Sequence, residues 1–196
     1  MRSLRFNTYY DSIDLDFWRE FFLREGDLLR YEKGVSFVER GHPAPYIGYI
    51  KTGGLKYVAY AADNSEHVVG LEFAGGFVAD FPFSLYGWES RVSIIAVTPC
   101  EILCMSAKEI GMRLMSDEEL YRKVGEATIA LFDNTYDRYI DLRLKTAKER
   151  YDELIYAHKD LFMLFSLKDI ASFLNITPTH LSRLRKLLNR ENLKKI

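Results

Sequence analysis

Residues 165–190 read FSLKDIASFLNITPTHLSRLRKLLNR, and their spacing decides how the C-terminal part folds. Ser166 is placed to N-cap a helix, with Asp169 three residues on in a capping-box-like position. Ile170, Ala171 and Leu174 form the buried face of that helix, and the small Ala171 lets a second helix cross closely. Asn175 stands where the chain must turn, and asparagine tolerates the left-handed conformation better than any residue but glycine. Ile176 then returns to the core. Thr177 caps the next helix, and Pro178 occupies its first turn, where a missing N–H costs nothing. Leu181, Leu184 and Leu188 give the second helix an apolar stripe. Thr179, His180, Ser182, Arg183, Arg185 and Lys186 remain near its outer side. Two helices meeting at a fixed angle, the second presenting polar first turns, make a helix-turn-helix, which points to the major groove of DNA.

Charge supports that direction. The chain has 196 residues and a formal net charge of −1. Residues 166–196 nevertheless carry seven basic and two acidic side chains, whereas residues 1–145 carry 17 basic and 22 acidic ones. A polyanion is drawn to the C-terminal end and not to the rest. Arg183 is suited to a base edge, while Thr177, Thr179, His180, Ser182, Lys186, Lys194 and Lys195 are suited to phosphates and groove contacts.

Upstream of this unit the pattern changes. From Asp117 to Lys145 there is no proline and a single glycine, Gly125, so a helix of about 43 Å is expected at 1.5 Å per residue. It carries two apolar stripes, Leu120, Val124, Ala127 and Leu131 on one, Ile129, Phe132, Tyr136 and Tyr139 on the other. One stripe serves packing on a domain; two call for a second partner, here a second copy of the helix. Shorter helices are expected over 146–157, 167–174 and 178–190. Before residue 106 the chain is punctuated by glycines, and short alternating runs such as Leu55, Tyr57, Ala59 and Val69, Leu71, Phe73 read as strands. Residues 15–24 read as an amphipathic helix and residues 61–66 as a hairpin connection. The fold class is α+β: a jelly-roll-like β-roll over 1–116, a dimerisation helix over 117–145 and a helix-turn-helix domain over 146–196.

The bulk properties exclude other classes. Hydrophobic residues make up 48% and charged residues 28% of the chain, the mix of a globular protein. No apolar run approaches the ~20 residues needed to span a bilayer. MRSLRFNTYYDSIDLDFW lacks the apolar segment of a secretory signal, so a cytoplasmic location is expected. Cys100 and Cys104 sit about 13 Å apart on one face of a strand, too far for a disulfide. His42 and His67 stand alone and His158 and His180 lie in the helical half, against the ligand set of a cupin-type metalloenzyme. No catalytic residue, cofactor or metal is expected. A β-roll that senses an effector and acts through a protein partner is the other reading, and the helix-turn-helix argues against it.

This layout resembles the Crp/Fnr family of bacterial transcription regulators over nearly the whole chain. The strands of EKGVSFVERGHPAPYIGYIKTGGLKYVAY, with turns at Gly34, Gly41 and Gly53 or Gly54, look like the family's opening strands. GGFVADFPFSL and SRVSIIAVTPCEILCMSAKEI look like its cyclic-nucleotide cassette, and IASFLNITPTHLSRLRK resembles its recognition unit. The resemblance places Arg183 on a base-contacting arginine and Thr177 on a phosphate-contacting helix start. It implies as partners double-stranded DNA with an inverted-repeat operator, a second copy of the chain, a small-molecule effector and RNA polymerase. Asp80, Phe81, Ser90 and Arg91 are its effector-pocket candidates.

Two departures qualify it. Members that bind cyclic AMP carry a Gly-Glu pair for the ribose and an Arg-Ser pair for the phosphate. Here those positions read Ala79-Asp80 and Ser90-Arg91. On a strand a one-residue shift moves the arginine to the opposite face, so an effector other than cyclic AMP is expected; a register shift between Pro82 and Glu89 would restore the pair. The winged hairpin that follows the family's recognition helix is expected to be absent or truncated, since only Glu191 to Ile196 remain. Tyr86 and Trp88, in the connection over the pocket, read as loop anchors or as a stacking surface for an aromatic effector.

Overall fold

A computed structural model describes residues 12–193, with the side chains of 188–193 left out of the description. The chain enters through α1 (Leu15–Glu25), whose N-cap Asp14 accepts the backbone N–H of Phe17. One face of α1 buries Trp18, Phe21 and Phe22. Eight strands follow: β1 (Asp27–Tyr31), β2 (Ser36–Val38), β3 (Tyr46–Thr52), β4 (Gly54–Tyr60), β5 (Glu66–Phe73), β6 (Phe77–Val78), β7 (Ser93–Ala96) and β8 (Cys100–Ser106). They form two antiparallel four-stranded sheets, ordered β1-β8-β3-β6 and β2-β7-β4-β5. Between the sheets lies an apolar core that includes Ile50, Leu55, Ile94 and Ile102, each fully buried. Each such side chain contributes roughly 1.5–3 kcal/mol relative to exposure. Cys100 and Cys104 are both buried, and burial pushes the Cys104 thiol up to about 12.

The β3–β4 corner shows why a glycine stands at the turn. Gly53 adopts φ +90°, and a Cβ there would meet Cys100 Sγ and the Pro99 carbonyl oxygen at 2.5 Å each. The left-handed position is Gly53, and Gly54 belongs to the strand.

Beyond the sheets come α2 (Ala107–Arg113), α3 (Glu118–Leu144), α4 (Ala147–Ala157), α5 (Leu161–Leu164), α6 (Leu167–Phe173) and α7 (Pro178–Leu193). The expected long helix is α3, one residue shorter at each end. Its N-cap is Asp117, which accepts the N–H of Leu120. The short helices α2 and α5 were not expected from the sequence. A second core gathers α1, α2, α3 and one sheet, through Trp18, Phe21, Phe22, Leu103, Met105, Ile110, Leu120 and Val124. A third joins β5 to the C-terminal helices, through Val68, Leu71, Tyr151, Leu154, Leu161, Phe165, Ile170, Ala171, Leu174, Leu181 and Leu184.

The C-terminal helices are capped as the spacing dictates. Thr146 and Glu149 form a reciprocal capping box on α4. Ser166 accepts the N–H of Asp169, Asn175 takes φ +55°, and Thr177 Oγ1 accepts the N–H of His180 at 3.2 Å. Lys194, Lys195 and the chain end lie outside the described residues, and so does the side chain of Leu188. Among the described residues no helix is long and apolar enough to cross a membrane.

Candidate functional site

The geometry offers two sites, a cavity beneath α3 and the outer face of α7. The cavity has a volume of about 330 Å³ and lies between the β-roll, α1 and α3. This is within the range that holds small-molecule ligands. Trp18, Phe22, Ile47, Phe77, Phe81 and Leu85 furnish much of its apolar wall. From α3 come Val124, Ala127, Leu131, Asn134, Thr135 and Arg138. The first apolar stripe of α3 therefore faces its own domain. The second stripe does not: Ile129, Phe132, Tyr136 and Tyr139 are all exposed, and the Phe132 and Tyr136 rings stack 6.2 Å apart.

Four effector-pocket residues were expected, and two line the cavity. Asp80 and Phe81 are in its wall; Ser90 and Arg91 are not among the lining residues. Ser90 is buried and donates to the Val92 carbonyl at 2.7 Å. The exposed Arg91 lays its guanidinium over the Phe83 ring at 5.0 Å. Burial raises the Asp80 carboxyl above its ordinary value, against the pull of the nearby Ser90 hydroxyl and Arg91 guanidinium. Its Oδ2 is buried without a hydrogen-bond partner. Tyr86 and Trp88 are exposed and stacked on each other at 5.1 Å, outside the cavity wall.

The cavity also holds polar residues that sequence reasoning passed over: Tyr57, Glu72, Asn134 and Arg138. The Tyr57 hydroxyl is already bound, to the Ala79 carbonyl at 3.2 Å and the Ala79 N–H at 3.3 Å. Arg138 donates to the Val69 carbonyl at 2.9 Å and covers the Phe173 ring of α6 at 4.7 Å. A signal for Asn134 and Arg138 existed, since they fall three and seven residues after Leu131, on the same helical face.

The outer face of α7 is arranged differently. Leu181 and Leu184 are buried beneath it. Thr177, Thr179, His180, Arg183 and Lys186 are exposed, and Ser182 is half-buried. At 100° per residue, Thr179, Arg183 and Lys186 share a side opposite Leu181 and Leu184. Arg185, which the sequence placed near the outer side, is half-buried and packs its guanidinium on the Phe162 ring at 4.2 Å. The helical unit is held to the β-roll by polar contacts. Lys56 Nζ pairs with Asp169 Oδ1 at 2.7 Å, and the Val68 N–H donates to Ser172 Oγ at 2.9 Å. His158 stacks on Phe73 at 3.7 Å, and burial lowers the imidazole's affinity for a proton. Among the described residues, no group of three or more His, Cys, Asp or Glu side chains is arranged to hold a metal.

Comparison with known proteins agrees with this layout. Residues 28–117 match the cyclic nucleotide-binding domain family. A protein of Rhizobium leguminosarum bv. viciae named "Probable transcriptional activator" is 28% identical over 174 residues, covering 81% of this chain and 70% of that one. FixK2 of Bradyrhizobium japonicum superposes with a TM-score of 0.74 at 18% identity, over 85% of this chain and 86% of that one. CLP of Xanthomonas campestris, described as a c-di-GMP responsive global regulator, gives 0.63 at 19% identity, over 92% and 94%. The chain thus carries a match to the cyclic nucleotide-binding domain over 28–117 and shares its fold with FixK2 and CLP over most of its length.

Proposed function

We propose that the protein is a dimeric, sequence-specific DNA-binding regulator in which α7 reads the operator and the cavity beneath α3 receives a small-molecule effector other than cyclic AMP. It divides into a sensor over 1–116, a dimerisation helix over 117–145 and a DNA-binding domain over 146–196. The observation that carries DNA binding is the outward face of α7, where Thr179, Arg183 and Lys186 stand exposed above the buried Leu181 and Leu184. A helix so backed can lie in the major groove with its first turns on base edges. Arg183 takes a base, while Thr177 and Lys186, with Lys194 and Lys195, take phosphates.

The second copy is motivated by the exposed Ile129, Phe132, Tyr136 and Tyr139 on the long α3. Two-fold pairing along that stripe sets two α7 helices about one DNA turn apart, about 34 Å, on an inverted repeat. RNA polymerase is the further partner that regulation of this kind engages.

Selection from random duplexes, followed by salt-titrated binding to the enriched site, tests the reading. Two-fold symmetric sites with a steep salt dependence support it. Enriched sites without symmetry, or none, overturn it.

A further inference from the structure

The cavity has a chemical character that narrows what enters it. Its volume, about 330 Å³, is roughly twice that of a cavity of ~150 Å³ that takes up one benzene ring. Most of its wall is apolar. Of its charged lining residues, two are carboxylates, Glu72 and Asp80, and one is a cation, Arg138. That guanidinium is already engaged with the Val69 carbonyl and the Phe173 ring. Arg91, the cation nearest in sequence to the family's phosphate position, is spent on Phe83 and stands outside the wall. A phosphate entering here would exchange its hydration for two carboxylates and no uncommitted cation, which is unfavourable in a desolvated site.

Among the described wall residues, Asp80 carries a buried Oδ2 without a hydrogen-bond partner. A side-chain turn that brings this oxygen to the cavity lets a ligand donor satisfy it. Resting on the assignment of the cavity as the effector site, we propose that it takes a compact, uncharged, mainly apolar molecule of one or two rings, or an aliphatic equivalent. That molecule bears a hydroxyl or amine that donates to Asp80. It excludes anions of the same shape, cyclic nucleotides included.

A matched pair of dyes isolates the charge: N-phenylnaphthylamine, neutral with one N–H donor, and anilinonaphthalene sulfonate, the same skeleton with an anion. Fluorescence titration of the full chain should show the amine saturating at one equivalent, with the sulfonate about tenfold or more weaker, the factor that 1.4 kcal/mol sets. Cyclic AMP should give no saturable heat. Asp80→Ala should weaken the amine about fivefold, the loss of about one hydrogen bond. Ala127→Phe should fill the cavity and abolish dye binding; Leu131→Trp serves if that variant does not fold. Sulfonate or cyclic AMP binding as tightly as the amine overturns the ligand class and leaves the effector site standing. Equal binding of the amine to wild type and Asp80→Ala overturns the donor contact. If no probe binds and both filled variants bind DNA as the wild type does, the effector assignment falls as well.

Discussion

Replacing Phe132 and Tyr136 together with glutamate should convert a dimer into a monomer. In the single chain these residues leave 71% and 54% of their surface exposed. At about 200 Å² per aromatic residue this is ~250 Å² in each chain and ~500 Å² in a two-fold pair. Buried in full at about 25 cal/mol/Å², that area is ~12 kcal/mol. Lost translational freedom and incomplete burial consume most of such a figure. If only a quarter survives, ~3 kcal/mol, the dissociation constant still rises more than about a hundredfold. Four added carboxylates in one seam act in the same direction. Sedimentation velocity across a micromolar concentration series reads the result, and circular dichroism checks that the variant stays folded. Leu120→Ala is the contrasting variant. It empties a fully buried site on the opposite stripe, so it should cost about 2–5 kcal/mol of stability and leave association unchanged. A wild-type monomer at micromolar concentration, or a double variant that pairs as tightly as the wild type, refutes the assignment of the two stripes.

Arg183→Ala should cost about 1–3 kcal/mol on the selected operator and relax preference at one position of each half-site, read by repeating the selection. Lys186→Ala should weaken all sequences about equally and reduce the salt slope by about one. Burial alone would raise the Asp169 carboxyl, but the Lys56 ammonium and the Ser166 hydroxyl hold it below its ordinary value. A depressed folded-state value means the pair's contribution is complete above the unfolded carboxyl value of about 4 and is lost as pH falls through the folded one. Hydrogen exchange in α6 should therefore quicken below pH about 4, and Lys56→Met should remove that pH dependence; an unchanged profile in the variant counts against the pair. Gly53→Ala meets both a φ of +90° and contacts of 2.5 Å with Cys100 Sγ and Pro99 O. It should lower stability by about 1–3 kcal/mol in denaturant titration.

What the sequence made legible was whatever local chemistry determines. Ser166, Asn175 and Thr177 each act on their own backbone within three residues, so both caps and the turn could be placed without knowing the rest of the fold. The two α3 stripes are likewise a property of one helix. The cavity was not legible in the same way, because its wall draws on α1, several strands and α3, residues more than a hundred positions apart. Counting only apolar positions on α3 hid Asn134 and Arg138, which continue the Leu131 face. Arg185 was misplaced because nothing local reveals the Phe162 ring that covers it. The four-residue α5 is shorter than the window in which periodicity can be seen.

On α3 the layout combines a cavity wall with an exposed apolar stripe. Ala127, Leu131, Asn134 and Arg138 line the cavity, and Ile129, Phe132, Tyr136 and Tyr139 stand roughly 140° around the helix at 100° per residue. Both sets occupy the same few turns of one hydrogen-bonded rod. A shift or roll of that rod to admit a ligand must carry the exposed stripe with it, because packed helices move as units and not residue by residue. Arg138 extends the linkage to α6, since this lining side chain also covers Phe173. A ligand that displaces this guanidinium removes a contact between α3 and the helix that precedes α7. Any free-energy difference the ligand makes between the two arrangements of Arg138 is then felt at α6, with no need for a longer chain of intermediates.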